Sequence, residues 1–167
     1  VQDSGTWNWR YSGDALPAGW QGAGYDDSAW ASGPGVLGFN TPGLGTDISV
    51  GAPTTRPLSA QFRSTFATPD ASEFESVSLS VIANDGVIVY VNGTEVGRAN
   101  LPTGTITQNT YATAAPRSTT AAANRVTFTV PVALLVSGTN TIAAETHANY
   151  RSTPDLTFAL TAVGTRG

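Results

Sequence analysis

The sequence contains no cysteine and no methionine, a single histidine, and no lysine, so that all eight of its basic residues are arginine. Without cysteine there is neither a disulfide framework nor a thiolate for metal binding or nucleophilic chemistry, and redox compartment cannot be read from cysteine pairing. One histidine leaves no His-Glu metal motif, and any acid–base scheme must rest on that one ring. Gly-rich phosphate loops and nucleophile elbows are missing as well. Charged residues are only 12% of the chain, the net charge is −4 and the isoelectric point is about 4.7. That balance argues against a surface tracking a phosphate backbone, so nucleic acid is not an expected partner. No apolar run reaches the ~20 residues that span a bilayer, and the N-terminus lacks the basic and apolar regions of a signal peptide. The chain reads as a soluble module excised from a longer protein, with no membrane partner. The missing Lys, Met and Cys fit a high-GC bacterial coding bias and an extracellular habit.

What is present favours strands. At 167 residues, one domain spanning 1–167 can bury roughly two thirds of its unfolded surface. The 18 Gly and 10 Pro, with abundant Thr, Ser, Ala and Val, signal short strands joined by turns. Trp7, Trp9 and Tyr11 alternate with polar neighbours and share one face of a strand over 6–12. Period two also marks 60–67, with Phe62, Ser64 and Phe66 on one face, and 77–83, with Val77, Leu79 and Val81 on one face. Further strands are expected at 87–91, 125–130, 140–148 and 155–163, with a hint of a helical turn at 131–136.

Turn chemistry divides these runs. Asn84-Asp85-Gly86 is a tight-turn sequence, and Asn92-Gly93 is a strong hairpin signal, so antiparallel pairing is expected. Asp26 or Asp27 would start a single helical turn that lets Trp30 plug the core. The stretch 40–58 is rich in Gly, Pro and Thr without periodicity, which makes it a candidate binding loop; 112–124 is irregular too. Eight or more short strands at regular spacing predict a β-sandwich of two antiparallel sheets.

Trp9, Trp20, the run from Tyr25 to Pro34, Leu37-Gly38-Phe39, Phe62 to Phe66, the run from Asn84 to Val96, Arg98 to Pro102, Gly138-Thr139-Asn140, Glu145, His147 and Asp155 to Phe158 resemble the galactose-binding-like jelly-roll modules appended to secreted bacterial polysaccharide hydrolases. The resemblance spans nearly the whole chain. It implies an all-β jelly-roll sandwich, attachment to a larger extracellular enzyme, carbohydrate binding and, in some members, a structural calcium. After His147, where that family has a short polar stretch, this chain carries Ala148-Asn149-Tyr150-Arg151-Ser152, a mark of its own specificity.

Sugar recognition needs an aromatic face against the C–H side of a pyranose and planar polar groups for its hydroxyls, best placed on loops at one end of a sandwich. Tyr150, Arg151 and Asn149 meet that need, since the turn at Ser152-Thr153-Pro154 keeps them exposed. Glu145 and His147 share a strand face and would line a groove; the plainer reading pairs Glu145 with Arg63 in a structural network. Tyr111 and Arg117 would add a second subsite, and Asn84 and Asp85 complete the polar set at the turn. Trp9, Trp20 and Trp30 read as core, whereas Trp7 would reach the surface. Asp26, Asp27 and Asp85 are the candidate calcium oxygens, although capping turns suits them better and no cofactor is required. Arginines at a binding end suit a carboxylate-bearing polysaccharide, such as the acidic branched glucan xanthan.

The expected function is therefore a secreted, monomeric, non-catalytic carbohydrate-binding module serving a parent catalytic domain in the same chain. A structural domain that braces an enzyme without touching glycan is the alternative. A glycosidase or lyase comes third, with Asp85 and Glu145 as its one carboxylate pair.

Overall fold

A computed structural model describes residues 1–116, 118–123 and 125–167, with the side chains of 118–120 outside that description. Its strands are β1 (Thr6–Arg10), β2 (Ala31–Pro34), β3 (Leu37–Phe39), β4 (Thr46–Asp47), β5 (Ser59–Thr68), β6 (Phe74–Asn84), β7 (Gly86–Val91), β8 (Thr94–Ala99), β9 (Val126–Val130), β10 (Gly138–His147) and β11 (Leu156–Arg166). The expected sandwich is present: a six-stranded sheet in the order β2-β1-β5-β10-β7-β8 faces a five-stranded sheet in the order β4-β3-β11-β6-β9. Every pairing is antiparallel except the short parallel contact of β3 with β4. One six-residue helix, α1 (Ser118–Ala123), interrupts the segment expected to be irregular. No helix among the described residues is long and apolar enough to cross a membrane.

The core lies between the sheets because period two sends alternate side chains inward. Trp7, Phe62, Val89, Ile142 and Ala144 from one sheet meet Leu37, Leu79, Val81, Phe158 and Leu160 from the other. Phe62 stacks on Phe158 at 4.3 Å, and Trp7 meets the same ring edge-on at 5.1 Å. Burying each such side chain stabilises the fold by roughly 1.5–3 kcal/mol relative to exposure. Trp7 is thus fully buried, which corrects the expectation that it reaches the surface: its inward register on β1 seats it between the sheets. Trp9 and Tyr11 share that side of the strand, Tyr11 buried and Trp9 half-buried.

The outer face of the six-stranded sheet is covered too. The segment 11–30 folds across it, with Trp20 edge-on to Tyr90 of β7 at 5.9 Å and Trp30 tilted against Trp20 and Tyr25. Trp30 therefore joins this cover and does not plug the sandwich core. Residues 26–30 form a turn, closed by the Trp30 N–H on the Asp27 carbonyl, with no helix. Arg63 of β5 stitches the cover down by donating to the carbonyls of Trp20, Gly22 and Tyr25 and pairing with Asp27 at 2.8 Å.

Asn84-Asp85-Gly86 departs from expectation in kind. It ends β6 in one sheet and starts β7 in the other, so it is a corner between sheets and not a hairpin turn. Asn92-Gly93 does close the β7–β8 hairpin, with φ of 49° and 87° at the two turn residues.

Candidate functional site

Topology makes that corner a meeting point. Asn84 pairs with Thr157 on β11 and Gly86 pairs with His147 on β10, so Asp85 sits between the two ends of the loop 148–155. The Asn84 side-chain amide donates to Asp155 Oδ1 at 2.7 Å, while its Oδ1 accepts from the Thr157 N–H. Asp85 Oδ2 accepts the Asn149 N–H at 2.6 Å, and Asn149 Nδ2 donates to the Ala112 carbonyl at 3.0 Å. Asn84 and Asn149 therefore act as struts.

Within this frame lies a cleft of roughly 240 Å³ lined by Asp85, Ala115, Pro116, Tyr150, Thr153, Pro154 and Asp155. Tyr150 is half-exposed at its rim. Burial pushes the Asp85 carboxyl up to about 6 against the pull of the Asn149 N–H, and the nearby Asp155 charge adds to the rise. Besides Oδ2 of Asp85 and Oδ1 of Asp155, each carboxylate keeps a second oxygen with no hydrogen-bond donor among the described residues. An aromatic face beside unsatisfied acceptors is an arrangement that fits a polyol.

Two larger concavities carry no carboxylate with an oxygen left unbonded. The first, about 630 Å³, runs between 13–21 and 107–109. Its Gln108 amide holds its own walls together, accepting from the Leu16 N–H and donating to the Asp14 carbonyl, and Trp20 there is 2% exposed. The second, about 520 Å³, is lined by Val1, Asn8, Asp27, Arg63 and Phe66 among others, and its Asp27 and Arg63 side chains are paired with each other.

No family model matches the sequence, and no curated protein does. Solved structures share its fold. A β-glucuronidase from Bacteroides uniformis superposes with a TM-score of 0.60 at 17% identity, over 98% of this chain and 18% of its own. A family 2 glycosyl hydrolase from Bacteroides cellulosilyticus gives 0.56 at 13% identity, over 96% and 20% of the two chains. The β-glucuronidase of Bifidobacterium dentium, complexed with coumarin-3-O-glucuronide, gives 0.54 at 16% identity, over 86% and 19%. The chain is similar in fold to part of these hydrolases. It spans about a fifth of their length, and at such identity the likeness is one of fold.

Of the residues singled out from sequence, Tyr150 and Asp85 meet at the cleft, with Asn84 and Asn149 holding its walls. Tyr111 is half-exposed on a neighbouring segment tied to Ala148 through Ala112, but it does not line the cleft. Arg151 donates to the Arg56 carbonyl at 2.7 Å and is likewise not in the lining, so the guanidinium that suggested an acidic ligand points elsewhere. Arg117 lies outside the described residues.

Glu145 and His147 are buried and line no groove. Their outward strand face lies under the segments 11–30 and 107–112. His147 Nε2 meets Glu145 Oε1 at 2.7 Å and Nδ1 meets the Thr110 carbonyl at 2.7 Å, while Glu145 Oε2 accepts from Gln61 at 2.7 Å. Glu145 thus partners Gln61 and His147 instead of Arg63, whose carboxylate partner is Asp27. Asp85 and Glu145 also fail as an acid–base pair, one opening to a cleft and the other sealed beneath loops. Asp26 accepts from Ser28 in a turn, and no three Asp, Glu or His among the described residues are placed to hold a metal ion. The loop 40–58 contributes nothing to the cleft lining. Asp155, Thr153, Pro154, Ala115 and Pro116 were not foreseen; the one signal in sequence was an Asp directly after the turn that exposes Tyr150.

Proposed function

We propose that this chain is a non-catalytic carbohydrate-binding module that holds a secreted bacterial polysaccharide-degrading enzyme on its substrate, with the Asp85–Tyr150–Asp155 cleft as the binding site. The observation that carries the reading is the half-exposed Tyr150 side chain at a cleft whose carboxylates each keep an oxygen with no donor among the described residues. A sugar offers both complements, an apolar C–H face and hydroxyl donors. The recurrence of the fold as about a fifth of glycoside hydrolase chains supports attachment to a catalytic domain in the same polypeptide. Tethering raises the effective concentration of that enzyme at a polysaccharide without new catalytic chemistry. The lone histidine is sealed beneath loops, which leaves the cleft without an imidazole for proton transfer. The module works as a secreted monomer and needs no cofactor.

Affinity electrophoresis of the purified chain against neutral and acidic polysaccharides, with and without a calcium chelator, tests the reading. Retardation by one class is expected, and Tyr150→Ala should weaken it about tenfold or more while leaving the melting temperature close to wild type. The second reading, a brace for a neighbouring domain, is favoured by how many polar groups on the sheet face serve internal contacts. Uniform migration of the wild type across the whole panel would decide for the brace.

A further inference from the structure

We propose, building on that reading, that the cleft takes one neutral sugar ring and discriminates against uronates and other anionic sugars. Its only charged lining residues among those described are Asp85 and Asp155, and no arginine or histidine joins them. Two described arginines at this loop are engaged elsewhere: Arg151 donates to the Arg56 carbonyl, and Arg56 donates to the Thr153 carbonyl at 2.5 Å with its guanidinium 4.3 Å over the Phe39 ring. A carboxylate-bearing ring would meet two like charges in a partly desolvated pocket, with no compensating cation among the described lining residues.

The hydrogen-bonding demand points the same way. Asp85 is 4% exposed, with one oxygen fixed by Asn149 and the other lacking a donor among the described residues, and Asp155 repeats that division through Asn84. Sugar hydroxyls supply donors to such oxygens in charge-assisted bonds, which a uronate carboxylate cannot. Tyr150 is half-exposed in the lining, where its ring is available to a sugar's C–H face. A volume near 240 Å³ is below the ~300 Å³ at which pockets begin to hold drug-sized ligands, so it suits a single ring at a chain end or branch tip and not a run of sugars.

The decisive comparison uses glucuronate- and galacturonate-containing oligosaccharides beside their carboxyl-reduced forms, which differ only at C6, where a hydroxymethyl group replaces the carboxylate, together with neutral gluco-, manno- and galacto-oligosaccharides. Calorimetric titration of the full chain at pH 7.5 should show binding to a neutral or carboxyl-reduced ligand, with the acidic parent at least tenfold weaker. In an Asp85→Asn/Asp155→Asn double variant, checked for wild-type circular dichroism, that gap should close. Equal or tighter binding of the acidic parent would overturn the selectivity while leaving the carbohydrate-binding reading in place. An unchanged gap in a folded double variant would overturn the assignment to this cleft. No binding to any ligand would bring down the broader reading as well.

Discussion

Asp85 carries two roles that a stability measurement can separate from sugar binding. Burial, with the Asp155 charge adding to it, pushes its carboxyl up to about 6 in the folded state, from an ordinary 3.8. The native state therefore holds this proton more firmly than the unfolded chain, and stability contributed by the group declines as pH rises through the window from about 4 to about 6. That difference in proton affinity is worth roughly 2–3 kcal/mol. Asp3 and Glu95 shift the other way under the pull of Arg125 and Arg98, so the wild-type profile alone would blur the effect. Asp85→Asn isolates it, since the amide oxygen can still accept from the Asn149 N–H. Urea unfolding at intervals from pH 4 to 7 should show wild type losing roughly 2–3 kcal/mol relative to the variant across that range. A flat difference would mean that the carboxyl is not buried as described.

At the scale of elements, the long strands were legible because each keeps one face against the core. Phe62, Val77, Leu79, Val81, Ile142 and Ala144 all point inward as their alternation indicated. The short strands were not legible: β2, β3 and β4 are two to four residues long, too brief for any period to show, and β3 lies inside a Gly-rich stretch. Gly38 explains why glycine is needed in β3, since a Cβ there would lie 1.9 Å from the Leu156 carbonyl oxygen. Gly93 differs, because its added Cβ would meet only Gly22 Cα at 3.6 Å and the cost arises from its φ of 87°. Replacing Gly93 with Ala should therefore cost about 1 kcal/mol through backbone strain alone. Gly38→Ala should cost more, about 2–3 kcal/mol, by forcing β3 away from β11, and should speed amide exchange at 156–158. Denaturant midpoints of the two variants check the order, and a reversed order would refute the close approach.

Across the whole molecule, the feature least visible in sequence is that both faces of the six-stranded sheet are buried. Polar alternation along β10 suggested an open groove, yet Glu145 and His147 lie under two remote segments that meet over them, and single-chain periodicity carries no record of what a loop covers. The join is a connected set: Arg10 bonds Gln61 and the carbonyls of Asp14 and Ala15, Gln61 bonds Glu145, Glu145 meets His147, and His147 reaches Thr110. Glu145 is the acceptor on which both Gln61 and His147 depend. Glu145→Ala should cost roughly 3–5 kcal/mol, because the buried Gln61 amide and His147 ring then lose their acceptor. Glu145→Gln should cost less, since one carbonyl oxygen remains to accept. Because the set ties Asp14 and Ala15 on one side and Thr110 on the other to one carboxylate, hydrogen exchange in the alanine variant should rise around 14–16 and 107–112 together, ahead of the inner strands. Loosening of one segment alone would show that the two covers are held independently, and the link through Glu145 would have to be abandoned.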